Sequence, residues 1–257
     1  MSTKTSRKIL SRALLAGLAT LTAVSASAAD GAGPVLMVIA NQDFHYAEYS
    51  RVRSSIEAAG LEVVVAAATT RSAKPQDRGV ATQVLPDLAL ANVDAEDYSA
   101  IVFVGGWGSS QYQYGFEGTY HNSAYRAQPG VGFEVNRLVK SFDSDHKPVS
   151  AICHGVTVLA WARVDGASPL DGRTVVATPG GMPGFRDGDL DFADAQYPAR
   201  WQIEANGATM LTAGSIGDPL SATDDVYIDG NIITAESYQS AGRFAQAIAQ
   251  SIAPGRH

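Results

Sequence analysis

A single cysteine stands among the 257 residues, and its neighbours mark it as a candidate nucleophile. In residues 148–164 (PVSAICHGVTVLAWARV) the apolar run PVSAI has the pattern of a buried strand, and VTVLAWARV has that of a helix. Only Cys153, His154 and Gly155 lie between them. The chain must turn sharply there, and a tight strand-to-helix turn lifts one side chain above the sheet edge. A cysteine so placed lies beside the first N–H groups of a helix, which favour thiolate over thiol, so the expected thiol is more acidic than the roughly 8.5 of a free cysteine. The backbone N–H of His154 is then a donor for a developing oxyanion. The plain alternative is an inert buried cysteine serving as a small hydrophobe.

Two further features point to the same place. Gly105-Gly106 ends the run AIVFV (residues 100–104), where chain reversal and close backbone approach both require the absence of a Cβ, and Gly106 is the candidate second oxyanion donor. Glu48 follows the first strand near the start of the first helix. Beside an anionic sulfur at that depth it should keep its proton and donate a hydrogen bond to the thiolate; the alternative is a solvated acid in a first helical turn. His154, next to the nucleophile, either moves a proton or simply packs. Gly105, Trp107 and His45 are candidate pocket residues. Asp43, His45, Glu48 and His121 lack the spacing of a metal site, and Asp187, Asp189 and Asp191 lack the rest of a calcium-loop pattern, so no metal and no cofactor is expected.

These residues need a scaffold that brings three strand ends together. The pattern predicts strands at 33–40, 61–67, 100–104, 148–152, 174–177, 209–213, 226–228 and 232–235. Helices are expected at 47–59, 131–142, 156–164 and 241–252. Residues 69–96 read as irregular, 109–130 as an ordered loop or lid carrying five aromatic residues, and 178–198 as a Gly-, Pro- and Asp-rich loop. Strands alternating with helices and no biased linker between them give one three-layer α/β domain with a mostly parallel sheet, covering residues 29–257. Ligands of such sheets bind at the carboxyl ends of the strands.

The segments VLMVIANQDFHYAEYSRVRSSIEAAGLEVVVA, DYSAIVFVGGWG, KPVSAICHGVTVLA and VYIDGNIITAESYQSAGRFAQAIA resemble the ThiJ/PfpI superfamily, over most of residues 33–252. This superfamily includes the parkinsonism-associated deglycase and intracellular protease-like proteins. The resemblance implies a flavodoxin-like sandwich, often a homodimer, with Cys153 as nucleophile, His154 as the histidine after it, Glu48 as the protonated glutamate and Gly106 as an oxyanion donor. Its members carry glyoxalase III, deglycase, amidase or peptidase, isonitrile hydratase and chaperone roles, so the resemblance does not select a reaction. The 109–130 insertion is longer than compact members carry, and no third catalytic residue has a certain match.

Composition narrows the partners. Residues 1–28 hold Lys4, Arg7, Lys8 and Arg12 without an acid, then an apolar run ending Ala26-Ser27-Ala28, which is the pattern of a cleaved export signal and predicts a periplasmic or secreted chain with no membrane attachment after cleavage. The remainder holds 15 Lys and Arg against 26 Asp and Glu, a net −11, which disfavours nucleic acid. The expected partner is a small-molecule substrate. The leading reading is a cysteine-dependent enzyme acting on small electrophilic carbonyls, glyoxalase III- or deglycase-like. An amidase or peptidase with the same nucleophile, and a redox-sensing or stress-protective binding protein, are the alternatives.

Overall fold

The computed structural model describes residues 33–77, 79–120, 125–126, 128–179 and 198–252. Four short strands, β1 (Val35–Val38), β6 (Ala100–Phe103), β7 (Val149–Ile152) and β11 (Ile232–Ala235), are buried along their whole length. That pattern belongs to parallel strands covered on both faces. With β3 (Val63–Ala67), the edge strand β5 (Leu88–Ala89) and β10 (Val226–Asp229) they form a seven-stranded sheet in the order β10-β11-β7-β6-β1-β3-β5. Every pairing in it is parallel except the β10–β11 hairpin, whose turn passes through Gly230 at φ +63°.

From β1 the chain runs outward through α1 (Tyr46–Ala58) to β3, and from β6 it runs the opposite way through α2 (Pro129–Ser144) to β7. Right-handed crossovers in opposite directions place α1 and α2 on opposite faces. The C-terminal helix α5 (Ala241–Ile252) packs against α1 and so shares its layer. The sheet's direction of winding reverses between β1 and β6, and the crevice at such a reversal is where ligands of these folds bind. The flavodoxin-like α/β sandwich expected from the sequence is the fold observed.

Several local differences have physical causes. The helix expected to reach Val164 is a 3₁₀ turn over Cys153–Gly155 followed by α3 (Val156–Trp161), and it stops where Ala162 turns to extended backbone at ψ 160°. The strands expected at 174–177 and 209–213 shorten to β8 (Thr174–Val175) and β9 (Thr209–Met210), which pair with each other in a separate small sheet. Between them, α4 (Ala199–Glu204) was not anticipated, because six residues are too few to display a helical period. A second small sheet joins β2 (Gln42–Phe44) to β4 (Lys74–Pro75) and gives order to part of the region expected to be irregular. In the aromatic insertion, Trp107–Tyr112 form a 3₁₀ helix, and Tyr112, Phe116, Tyr120 and Tyr125 are buried, so these rings pack the loop down. The expected export signal, His121 and the 187–191 aspartates lie outside the described residues.

Candidate active site

Cys153 has φ +58°, a left-handed conformation that L residues other than Asn, Asp and Gly rarely adopt. The strand β7 ends in extended backbone at Ile152 and the chain enters helical turns at once, so the sharp elbow read from the sequence is present. Gly155 makes it possible: a Cβ there would lie 2.5 Å from the Phe103 carbonyl oxygen on β6. The sulfur-bearing residue is held at the carboxyl end of β7 and keeps part of its surface accessible.

β6 lies beside β7, and Gly105 follows it into the same crevice. Its N–H donates to Glu48 Oε2 at 3.1 Å, and a Cβ on Gly105 would stand 2.5 Å from that oxygen and 2.7 Å from Cys153 Cβ. Glu48 is 1% exposed and also hydrogen-bonds Cys153. Gly106, at φ +101° and ψ 158°, occupies backbone space that essentially only glycine uses, packed against the Asp43 carbonyl and the His45 N–H. The His45 N–H donates to the Gly105 carbonyl at 3.0 Å, which ties the start of α1 to the end of β6.

Electrostatics follow from burial. Removal from water pushes the Glu48 carboxyl from 4.5 up to about 8, partly offset by its hydrogen bonds with Cys153 and Gly105. The same burial, reinforced by the Glu48 charge and hydrogen bond, lifts the Cys153 thiol well above its ordinary value, against a smaller pull from the His154 N–H and the Thr178 side chain. The expectation of an unusually acidic thiol is therefore corrected: burial and the neighbouring Glu48 outweigh the hydrogen bonds from the His154 N–H and the Thr178 side chain. Of these two adjacent buried acids Glu48 is the stronger, so the first proton to leave comes from its carboxyl, and the charge that appears there holds the thiol protonated.

His154 is brought near, but its side chain faces elsewhere. It is buried, its Nε2 pairs with Ser110 Oγ at 3.1 Å, and the Trp107 ring lies 5.4 Å from its own. Burial drops its pKa to about 4, so the ring is neutral at ordinary pH, and Nδ1 has no hydrogen-bond partner among the described residues. The Trp107 backbone N–H donates to Gln76 Oε1 at 2.7 Å. His45 caps α1, its Nδ1 accepting from the Glu48 N–H at 3.4 Å. Thr178, Ser110 and Asp77 belong to this neighbourhood and were not singled out from the sequence. Ser110 and Thr178 sit in loop-like stretches, whereas Asp77 had no pattern to betray it. A separate cleft of about 560 Å³ between Phe116, Trp161, Arg163 and Trp201 has none of Cys153, Glu48 and His45 in its walls. Among the described residues, no three His, Cys, Asp or Glu side chains are grouped to hold a metal ion.

The profile of the DJ-1/PfpI family matches residues 34–117, which contain Glu48, Gly105 and Gly106. An uncharacterized protein of Methanocaldococcus jannaschii is 30% identical over 219 residues, covering 85% of this chain and 82% of that protein. The chain belongs to the DJ-1/PfpI family. Solved structures of this fold include a ThiJ/PfpI domain protein from Brachyspira murdochii, with TM-score 0.60, 22% identity, and coverage of 86% of this chain and 98% of that one. Glyoxalase III from Candida albicans superposes with TM-score 0.57 at 16% identity, over 85% of this chain and 97% of that one. Family membership accounts for the meeting of strand end, glycine pair and glutamate at one crevice, while the chemistry has to be argued from the residues themselves.

Proposed function

We propose that this protein is a cysteine-dependent enzyme acting on small α-oxoaldehydes, converting them to 2-hydroxy acids with no added cofactor. The observation that carries the reading is the Glu48 carboxyl, buried and held by the Gly105 N–H against Cys153 at a strained elbow. Conversion of an α-oxoaldehyde to a hydroxy acid adds one water and moves one hydrogen from the aldehyde carbon to its neighbour. Sulfur adds to the aldehyde carbon, and the His154 and Gly106 N–H groups serve the resulting oxyanion. A carboxyl with its pKa near 8 carries a proton both ways at neutral pH, which is the property a hydrogen shift between adjacent carbons needs. Water then releases the acyl group from sulfur. The glyoxalase III activity named for the Candida albicans neighbour is consistent with this assignment.

An amidase or peptidase needs a base that hands a proton to a leaving amine, and His154, neutral and bonded to Ser110, is poorly arranged for that. A redox-sensing role draws support from the accessible surface of Cys153 and the Glu48 donor beside it, which would hold a sulfinate. The deciding experiment is lactate formation from methylglyoxal by the wild-type chain and by Cys153→Ser. Turnover that vanishes in the variant supports the enzyme. Absence of turnover in the reduced wild type, with Cys153 oxidising readily under peroxide, moves the assignment to the sensor. We also propose export with removal of residues 1–28; an intact mass of the periplasmic protein that begins at Met1 would refute it.

A further inference from the structure

Glu48 is sealed from solvent, yet the proposed chemistry has it release and regain a proton. We propose that His45 and Asp77 form a proton relay between the buried Glu48 carboxyl and solvent, with His45 Nδ1 as the transfer atom. This rests on the reading of Glu48 as the proton carrier. His45 Nδ1 lies 3.9 Å from Glu48 Oε1 and 3.6 Å from Asp77 Oδ1, so one nitrogen faces both carboxyl groups. A small movement of Glu48 closes the first gap to hydrogen-bond range, and a small movement of Asp77 closes the second. Glu48 is 1% exposed, whereas His45 at 21% and Asp77 at 18% both reach solvent.

The surroundings fix the ring and set its charge. The Tyr238 ring stacks on His45 at 5.8 Å and 11°, and the Arg51 guanidinium covers Tyr238 at 4.8 Å from its centroid. Asp77 is itself held by the Tyr46 N–H at 2.7 Å. Burial and Arg51 lower the His45 pKa while Asp77 raises it, so the imidazole rests neutral with a lone pair at Nδ1. In the relay the O–H bond of Glu48 breaks as an N–H bond forms at Nδ1, whose lone pair gives up its 3.4 Å hydrogen bond from the Glu48 backbone N–H for that step. The imidazolium so made is paired at once by the Asp77 carboxylate, and the proton passes from Nδ1 to Asp77 Oδ1 and then to water. The return path is the reverse, and no other group is consumed.

His45 also caps α1, so the variant has to separate the two roles. His45→Asn keeps a side-chain acceptor for the helix N-terminus but cannot carry a proton. A pH jump followed by thiolate absorbance reads how fast the Glu48–Cys153 pair sheds its proton, and it needs no turnover. The relay predicts a relaxation slower by about tenfold or more in His45→Asn, within the range a positioned proton carrier supplies, and restored by added imidazole. In D2O, lactate made from methylglyoxal should carry less solvent deuterium at C2 in the variant, because Glu48 exchanges more slowly. An unchanged relaxation rate with unchanged deuterium content would overturn the relay and leave the proposed enzyme standing. A slowed, imidazole-rescued relaxation in a protein that makes no lactate would support the relay and sink the enzymatic assignment.

Discussion

Glu48 accepts the N–H of Gly105 at 3.1 Å across a separation of 57 residues, one from α1 and the other from the end of β6. The contact exists because β1 and β6 are neighbours at the point where the sheet reverses its winding, so the helix leaving one strand and the loop leaving the other open onto the same crevice. Cys153 joins them from β7, the next strand.

The raised Glu48 pKa has a signed consequence for stability. The folded value of about 8 exceeds the ordinary 4.5, so folding favours the protonated acid. Its contribution is complete below pH 4.5 and is lost as pH climbs towards 8, by roughly 3 kcal/mol at pH 7. Glu48→Gln removes that loss, and denaturant unfolding should show the variant gaining on wild type between pH 5 and 8. The same variant changes Cys153 reactivity. In wild type the ionised Glu48 carboxylate holds the thiol protonated, so in Glu48→Gln, where that charge is gone, alkylation of Cys153 by iodoacetamide should set in at lower pH than in wild type. An onset that stays put would remove Glu48 from the titration.

Strain at Cys153 gives a comparison between two variants. At φ +58° a residue with a Cβ costs about 1–2 kcal/mol that glycine does not. Cys153→Gly should therefore unfold at higher denaturant concentration than Cys153→Ala, by about 1 kcal/mol, reversing the usual advantage of alanine over glycine. Equal stabilities would mean that the elbow relaxes in the absence of the sulfur.

Much of this arrangement was legible in the sequence because it depends on short-range signals. The apolar runs placed β1, β6, β7 and β11, and a strand that meets a helix across Cys-His-Gly left the elbow no other form. Glu48 could be placed because it lies just past a strand end. The protonation of Cys153 was not legible, since it depends on how completely a folded crevice excludes water, which no local pattern reports. Nor was the orientation of His154, decided by Ser110, which lies 44 positions away. The role of Asp77 depends on the small β2–β4 pairing, whose two-residue strand shows no alternation.

Ser110 tests whether His154 is a structural ring. Ser110→Ala leaves Nε2 buried without its partner, alongside an Nδ1 that already lacks one, and should cost about 1–3 kcal/mol of stability. With His154 acting only through packing and its backbone N–H, turnover per folded molecule should change less than the stability does. Turnover that collapses while the fold holds would assign the imidazole to the proton chemistry after all.

Gly105 offers the most direct test of the site as a unit. Its backbone is not in the left-handed region, so an alanine is acceptable to the main chain and its effect is steric. The added Cβ would meet Glu48 Oε2 at 2.5 Å, Cys153 Cβ at 2.7 Å and the Ile152 carbonyl oxygen at 2.9 Å. The first of these is the end of a side chain and can retreat, while the other two belong to the elbow and cannot move far. Gly105→Ala should then drive the carboxyl away from the sulfur, so that proton transfer fails and turnover of methylglyoxal drops about a hundredfold or more. Alkylation of Cys153 should at the same time set in at lower pH, because the carboxylate that raises its pKa has moved away. Gly130→Ala, where an added Cβ meets nothing within 4 Å, is the matched control and should behave as wild type. Full turnover in Gly105→Ala, with folding intact, would show that contact between Glu48 and Cys153 is not needed for the reaction.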